Sequence, residues 1–122
     1  MAIQTFDIPS FDDPRGRLCV IEDQLPFAVE RVFWITGADN QQRGGHGHKK
    51  TRLAAFAITG RVDMFLDNGA EQCDVRLDSP TKGLIVEPEY WHTMTFHEGA
   101  NLLVFASHKY DPDDYIFDRP GS

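Results

Sequence analysis

Short runs in which apolar and polar positions alternate, rich in β-branched and aromatic residues, recur along this chain. They cover residues 17–22, 29–36, 53–58, 61–66, 72–77, 83–87, 91–96 and 102–107. Alternation with a period of two over about six residues is the pattern of a strand buried on one face. No stretch carries the 3.6-residue period of a long helix. Thr59-Gly60, Asp67-Asn68-Gly69 and Glu98-Gly99 supply positions that tolerate positive φ, as tight hairpins require. Eight such strands fit a double-sheet jelly roll, so the expected fold is all-β. One short helical turn is expected near the end, where Asp111-Pro112-Asp113-Asp114 places a capping side chain before proline. Gly121-Ser122 closes the chain without a pattern.

The alternation also says which side chains meet. In 91–96, His92, Met94 and Phe96 share one face, and Trp91, Thr93 and Thr95 the other. An imidazole on the same stripe as Met and Phe points inward. Taken alone, such a histidine is an ordinary hydrogen-bonded core residue.

Composition narrows the class. With 122 residues and 41% hydrophobic content, the chain is expected to form one domain over residues 1–122. No run approaches the roughly 18 apolar residues of a membrane span, and Met1-Ala2-Ile3-Gln4 does not start a signal peptide. A cytoplasmic protein with no membrane partner is the expectation. Cys19 and Cys73 follow no ligand-like spacing and read as reduced thiols. The formal net charge of −7 argues against nucleic acid as a partner. That average hides a local reversal: Arg43, Lys49, Lys50 and Arg52 cluster together, while Asp111, Asp113, Asp114 and Asp118 make the tail acidic. The cationic cluster could attract a small anion or be a solvated charged face.

Inside that cluster lies Arg43-Gly44-Gly45-His46-Gly47-His48-Lys49-Lys50. If the segment is extended, both imidazoles point to one side. Imidazole titrates near neutrality, so the pair suits metal ligation or proton transfer beside an anionic substrate, and the spacing alone leaves both open. Together with His92 from a separate strand, the pair would make an interior site in a small barrel.

Gly-x-His-x-His, followed by Gly83, Pro88 and His92, resembles the two halves of the cupin motif, in which histidines and a glutamate usually hold a metal. The glutamate position is Arg52 or Leu53 here, and neither ligates a divalent cation. Three histidines alone can still bind zinc. Asp13-Pro14-Arg15-Gly16-Arg17-Leu18, Arg31-Val32-Phe33-Trp34-Ile35, Arg43 to Lys50, Leu77-Asp78-Ser79-Pro80 with Gly83, Trp91-His92, Ala106-Ser107, Tyr110-Asp111 and Asp114-Tyr115-Ile116 together resemble the WxcM-like sugar 3,4-ketoisomerases. The likeness covers nearly the whole chain.

That resemblance implies a cupin-like double-stranded β-helix, a jelly-roll barrel. It implies an isomerase that moves the carbonyl of a dTDP-4-keto-6-deoxyhexose from C4 to C3 through an enediol, in deoxyamino sugar and polysaccharide biosynthesis. Neither metal nor other cofactor is implied, and the partners implied are the dTDP-linked keto sugar and a second copy in a homodimer with an exchanged N-terminal strand. His48 would be the base, His46 a second proton carrier or orienting group, and His92 would complete the pocket. Arg43, Arg15 and Arg31 are candidates for the pyrophosphate, since a guanidinium grips two phosphate oxygens at once. Each has an ordinary alternative as a salt-bridge residue. Arg52 is a candidate for stabilising the developing oxyanion, and Trp34 or Phe33 for lining the sugar pocket. Phe33 and Trp34 stand where the family usually carries tyrosines, which makes Tyr90 the candidate for the missing hydroxyl. Two other classes fit the same residues: a metal-dependent cupin oxygenase or isomerase, and a non-catalytic nucleotide-sugar binding domain.

Overall fold

A computed structural model describes residues 3–121; the expectations for Met1, Ala2 and Ser122 lie outside the described residues. The strands are β1 (Gln4–Asp7), β2 (Ser10–Asp13), β3 (Gly16–Cys19), β4 (Arg31–Ile35), β5 (Gln42–His48), β6 (Leu53–Asp67), β7 (Gln72–Leu77), β8 (Lys82–Val86), β9 (Trp91–Ala106) and β10 (Tyr115–Ile116). Every pairing is antiparallel. Pro112–Asp114 forms a single 3-10 turn, and the Asp111 side chain caps it by accepting from the Asp113 N–H at 3.0 Å.

Two strands organise everything else. β6 and β9 pair along their whole lengths, from Leu53↔Ala106 to Asp67↔Trp91. Their outer halves belong to different layers. Residues 53–56 of β6 pair with β8, which pairs with β1, and residues 102–106 of β9 pair with β4. Residues 62–67 of β6 pair with β7, and residues 92–95 of β9 pair with β5, which carries β10. The bend between layers falls at register shifts around Ala57, Thr59 and Arg61. There Gly60 has φ +66°, and a Cβ on it would meet Ala100 backbone atoms at 2.7 Å. This joint explains a correction to the expected elements. Runs 53–58 and 61–66 fuse into one strand, as do 91–96 and 102–107, because the Thr59-Gly60 and Glu98-Gly99 signals mark bulges in paired strands. Of the three signals, Asp67-Asn68-Gly69 alone turns a hairpin, between β6 and β7.

The core lies between the two layers. Leu53, Ala55 and Ala57 from one half of β6 meet Val62, Met64 and Leu66 from the other, along with Leu84, Val86, Phe96, Leu102 and Val104. The first half of β6 is buried on both faces. Ala54 and Phe56 pack with Ile8 and Ile85 under Ile21, Leu25 and Phe27 of the irregular segment 20–30. The second layer instead turns Asp63, Asp74 and Arg76 to solvent, giving the half-buried alternation of an antiparallel sheet. Among the described residues, no helix is long and apolar enough to cross a membrane.

Candidate active site

The histidine segment becomes β5, and its glycines explain how. A Cβ at Gly44 would sit 2.8 Å from the His92 carbonyl oxygen, and one at Gly47 would sit 2.7 Å from that of Tyr90. Only glycine lets β5 lie this close to β9. The ladder shifts register between Gly44 and His46, after which His46 pairs with His92. From there the strand alternates normally, and His46 and His48 turn to the same side.

The three imidazoles therefore converge. Ring centroids are 5.1 Å apart for His46 and His92, 5.5 Å for His46 and His48, and 6.4 Å for His48 and His92. They border a cavity of about 290 Å³ between the two layers. Leu53, Ala55, Met64, Val86, Met94 and Val104 give it apolar walls, while Arg31, Arg43 and Trp34 stand at its border with Phe33 and Tyr115. The volume is at the small end of small-molecule sites, which run from about 300 Å³ upward.

Electrostatics keep these imidazoles uncharged at neutral pH. Burial pushes His92 down to about 3, helped by the neighbouring His46 and His48 and opposed by its contact with the Tyr90 carbonyl. His48 falls to about 4, through burial first, then His46 and the cation of Arg31, against the pull of the Asp114 carboxylate. His46 is also lowered by burial, and a hydrogen bond to the Gly44 carbonyl partly offsets this. Each ring thus has a lone pair available to accept a proton. Among the described residues, no group of three or more His, Cys, Asp or Glu is arranged to hold a metal ion.

The other residues singled out by sequence divide into two sets. Arg31 and Arg43 border the cavity, and neither guanidinium is ion-paired or hydrogen-bonded to a described residue. Arg31 is held instead over the faces of Phe33, at 4.6 Å, and Tyr110, at 5.6 Å. Phe33 pairs with Val104 on the inner side of β4, whereas Trp34 borders the cavity with 69% of its surface exposed.

Three candidates lie elsewhere. Arg52 makes a two-pronged ion pair with Glu87, at 2.7 and 2.9 Å, and donates to the Pro26 carbonyl, so its guanidinium is engaged within the chain and does not line the cavity. Tyr90 is buried and its hydroxyl donates to Glu71 at 2.6 Å; burial and that acceptor push the phenol up to about 12. It does not line the cavity. Arg15 sits on the exposed β2–β3 hairpin, paired with Asp13 at 2.6 Å. The cationic cluster is likewise thinned, because Lys50 pairs with Asp111 at 3.0 Å. The acidic tail folds back onto it.

Sequence reasoning missed Tyr115 as a site residue. β10 is too short for a periodic signal, yet its register places Tyr115 opposite His48. Its ring centroid lies 4.7 Å from that of His48 and 5.0 Å from that of His46. Asp114 fixes this segment: its carboxylate accepts from the Thr51 hydroxyl at 2.5 Å and the Lys50 N–H at 2.8 Å, while its carbonyl accepts from the Lys49 N–H at 2.8 Å. Burial would raise that carboxyl, but the Thr51 and Lys50 hydrogen bonds prevail and hold it below the usual range.

Comparison with known proteins gives a consistent set of relatives. The family model described as "FdtA: WxcM-like, C-terminal" matches residues 1–120. A TDP-4-oxo-6-deoxy-α-D-glucose-3,4-oxoisomerase of Aneurinibacillus thermoaerophilus is 38% identical over 108 residues, covering 85% of this chain and 78% of that protein. Among solved structures, a double mutant of the QdtA 3,4-ketoisomerase of Thermoanaerobacterium thermosaccharolyticum, in complex with TDP, superposes with a TM-score of 0.91 at 37% identity, covering 95% of this chain and 87% of the other. Another mutant of that enzyme was crystallised with TDP-4-keto-6-deoxyglucose. The WlaRB TDP-quinovose 3,4-ketoisomerase of Campylobacter jejuni gives 0.89 at 32% identity, covering 96% and 93%.

Proposed function

The chain belongs to the FdtA family of WxcM-like proteins, and we propose that its histidine cavity is the active site of a TDP-sugar 3,4-ketoisomerase in deoxysugar biosynthesis. One observation carries the assignment of this site: uncharged imidazoles and unpaired guanidinium groups meet at a single cavity. A 4-keto-6-deoxyhexose linked to TDP needs both features. Its sugar must lose a proton from C3 and gain one at C4, and its diphosphate must be held.

His48 is the base in this reading. Neutral at pH 7, it can take the C3 proton directly, and as an imidazolium it can return that proton to C4. Binding itself improves it. The cation of Arg31 is one of the causes that hold His48 low, so a diphosphate that neutralises Arg31 raises the basicity of the imidazole as substrate arrives. Arg31 and Arg43 suit the diphosphate, because a guanidinium presents two N–H donors to two phosphate oxygens. His46 and His92 line the cavity beside His48, and Trp34 offers an exposed ring at its border. The apolar walls exclude water, which strengthens every charge interaction inside. With about 290 Å³ available, the keto sugar occupies the cavity while the nucleotide lies along its border.

The same reading includes a homodimer. The β2–β3 hairpin stands apart from the main sheet and exposes Phe11 and Leu18, and β4 exposes Val32 and Trp34. These supply apolar area for a second copy. Within one chain β1 pairs with β8, so an exchanged N-terminal strand would repeat that pairing between copies. The free thiols of Cys19 and Cys73 support a reducing, cytoplasmic setting.

Incubating the purified protein with TDP-4-keto-6-deoxyglucose and following the mixture by NMR tests the function. The expected outcome is a 3-keto isomer formed without any additive. A spectrum that remains that of the 4-keto sugar, with TDP binding intact, would leave only a nucleotide-sugar binding domain.

A further inference from the structure

Moving a carbonyl from C4 to C3 transfers two hydrogens, one between carbons and one between oxygens. His48 accounts for the first. The second needs a group that gives a proton to O4 and takes one from O3, adjacent oxygens that a single hydroxyl can serve in turn.

Among the residues lining the cavity, Tyr115 alone carries a hydroxyl. No described residue occupies that hydroxyl with a hydrogen bond. The other two tyrosines differ: Tyr90 donates to Glu71, and Tyr110 is exposed outside the cavity lining. His46 already engages the Gly44 carbonyl, and His92 faces the Tyr90 carbonyl at 3.4 Å. Tyr115 is also positioned firmly. Its backbone pairs with His48, the buried Asp114 before it is tied to residues 49–51, and its ring stacks on Phe117 at 5.7 Å. A free phenol fixed against the base, at the only hydroxyl-bearing position among the described lining residues, is placed for proton transfer.

We propose that Tyr115 is a catalytic residue that carries the hydroxyl proton from O3 to O4, a role that rests on the ketoisomerase reading of this cavity. As His48 removes the C3 proton, the C–H electron pair becomes the C3–C4 double bond. The carbonyl π pair then moves onto O4, which takes the phenolic proton. In the second half the phenolate takes the O3 proton, and the O–H pair becomes the new C3 carbonyl. The double-bond pair collects the proton of the His48 imidazolium at C4. Both side chains end as they began, and no oxidant or reductant is consumed.

The test compares wild-type protein, Tyr115→Phe, and protein with 3,5-difluorotyrosine at position 115, all acting on TDP-4-keto-6-deoxyglucose. Tyr115→Phe is expected to lower kcat by about 100-fold or more while KM and TDP affinity stay within about threefold. The fluorinated phenol is expected to move the alkaline limb of the kcat–pH profile downward by about one pH unit or more. A Phe variant with wild-type kcat, or a fluorinated protein with an unmoved profile, overturns the role of Tyr115 while leaving the enzyme an isomerase. If Tyr115→Phe does not fold, the nearly isosteric fluorinated protein decides alone. A wild-type protein that binds TDP without turnover removes the ketoisomerase reading itself, and this role with it.

Discussion

Arginine and tyrosine occur in two settings in this molecule, around the histidine cavity and away from it, and the two treat the same side chains differently. Arg52 and Tyr90 have carboxylate partners supplied by the fold, Glu87 and Glu71. Arg43 and Tyr115 border the cavity with no such partner. A polar group satisfied inside the chain stabilises the chain. One left open beside a cavity is available to a ligand, and its desolvation is offset only when that ligand arrives. The difference separates structural from functional residues better than residue type does, since sequence alone placed Arg52, Tyr90 and Arg43 on one footing.

Substitutions at the two settings should fail in different ways. Arg43→Ala is expected to raise KM by roughly 10-fold or more while kcat stays within about threefold, because a charge-assisted phosphate contact is worth about 1.5–3 kcal/mol. Steady-state kinetics checks this, and an unchanged KM would place the diphosphate elsewhere. Arg52→Ala should do the reverse. Leaving the largely buried Glu87 unpaired costs about 1–3 kcal/mol, so Tm should fall by roughly 5–10 °C with KM unaltered.

Acid should strike the cavity before the periphery. His48 and His92 titrate near 6.5 when unfolded but at about 4 and about 3 in the fold, so the unfolded chain binds more protons between those values. Stability is therefore full above about pH 6.5 and declines as pH drops toward 4 and below. Thermal melts across pH 4–7 check this, and His92→Gln should flatten the decline. The smallest effect belongs to Arg15→Ala. Its ion pair with Asp13 is fully solvated, so Tm should move by no more than about 2 °C. KM should stay unchanged if each cavity works alone; a rise would mean that a second copy presents its β2–β3 hairpin to the substrate.

Much of this was legible beforehand, and the reasons are local. Alternation put His92 with Met94 and Phe96 on an inner stripe, where the fold has them. Asp111-Pro112 announced the 3-10 turn. The Thr59-Gly60 and Glu98-Gly99 signals were read as hairpins because a positive-φ glycine serves a turn and a bulge equally well; only long-range pairing of β6 with β9 tells them apart. Strand β5 was hidden by its glycines, whose use is the close approach to β9. Tyr115 and the partners of Arg52 and Tyr90 depend on contacts between distant segments, which no periodicity records.

The central claim is that one cavity imidazole carries hydrogen between neighbouring sugar carbons, and isotope exchange tests it most directly. Wild-type protein turning over TDP-4-keto-6-deoxyglucose in D2O should place deuterium at the ring carbons of the isomerising pair, and His48→Asn should abolish incorporation while still binding TDP. Isomer formation or deuterium incorporation that persists at the wild-type rate in His48→Asn would contradict the account.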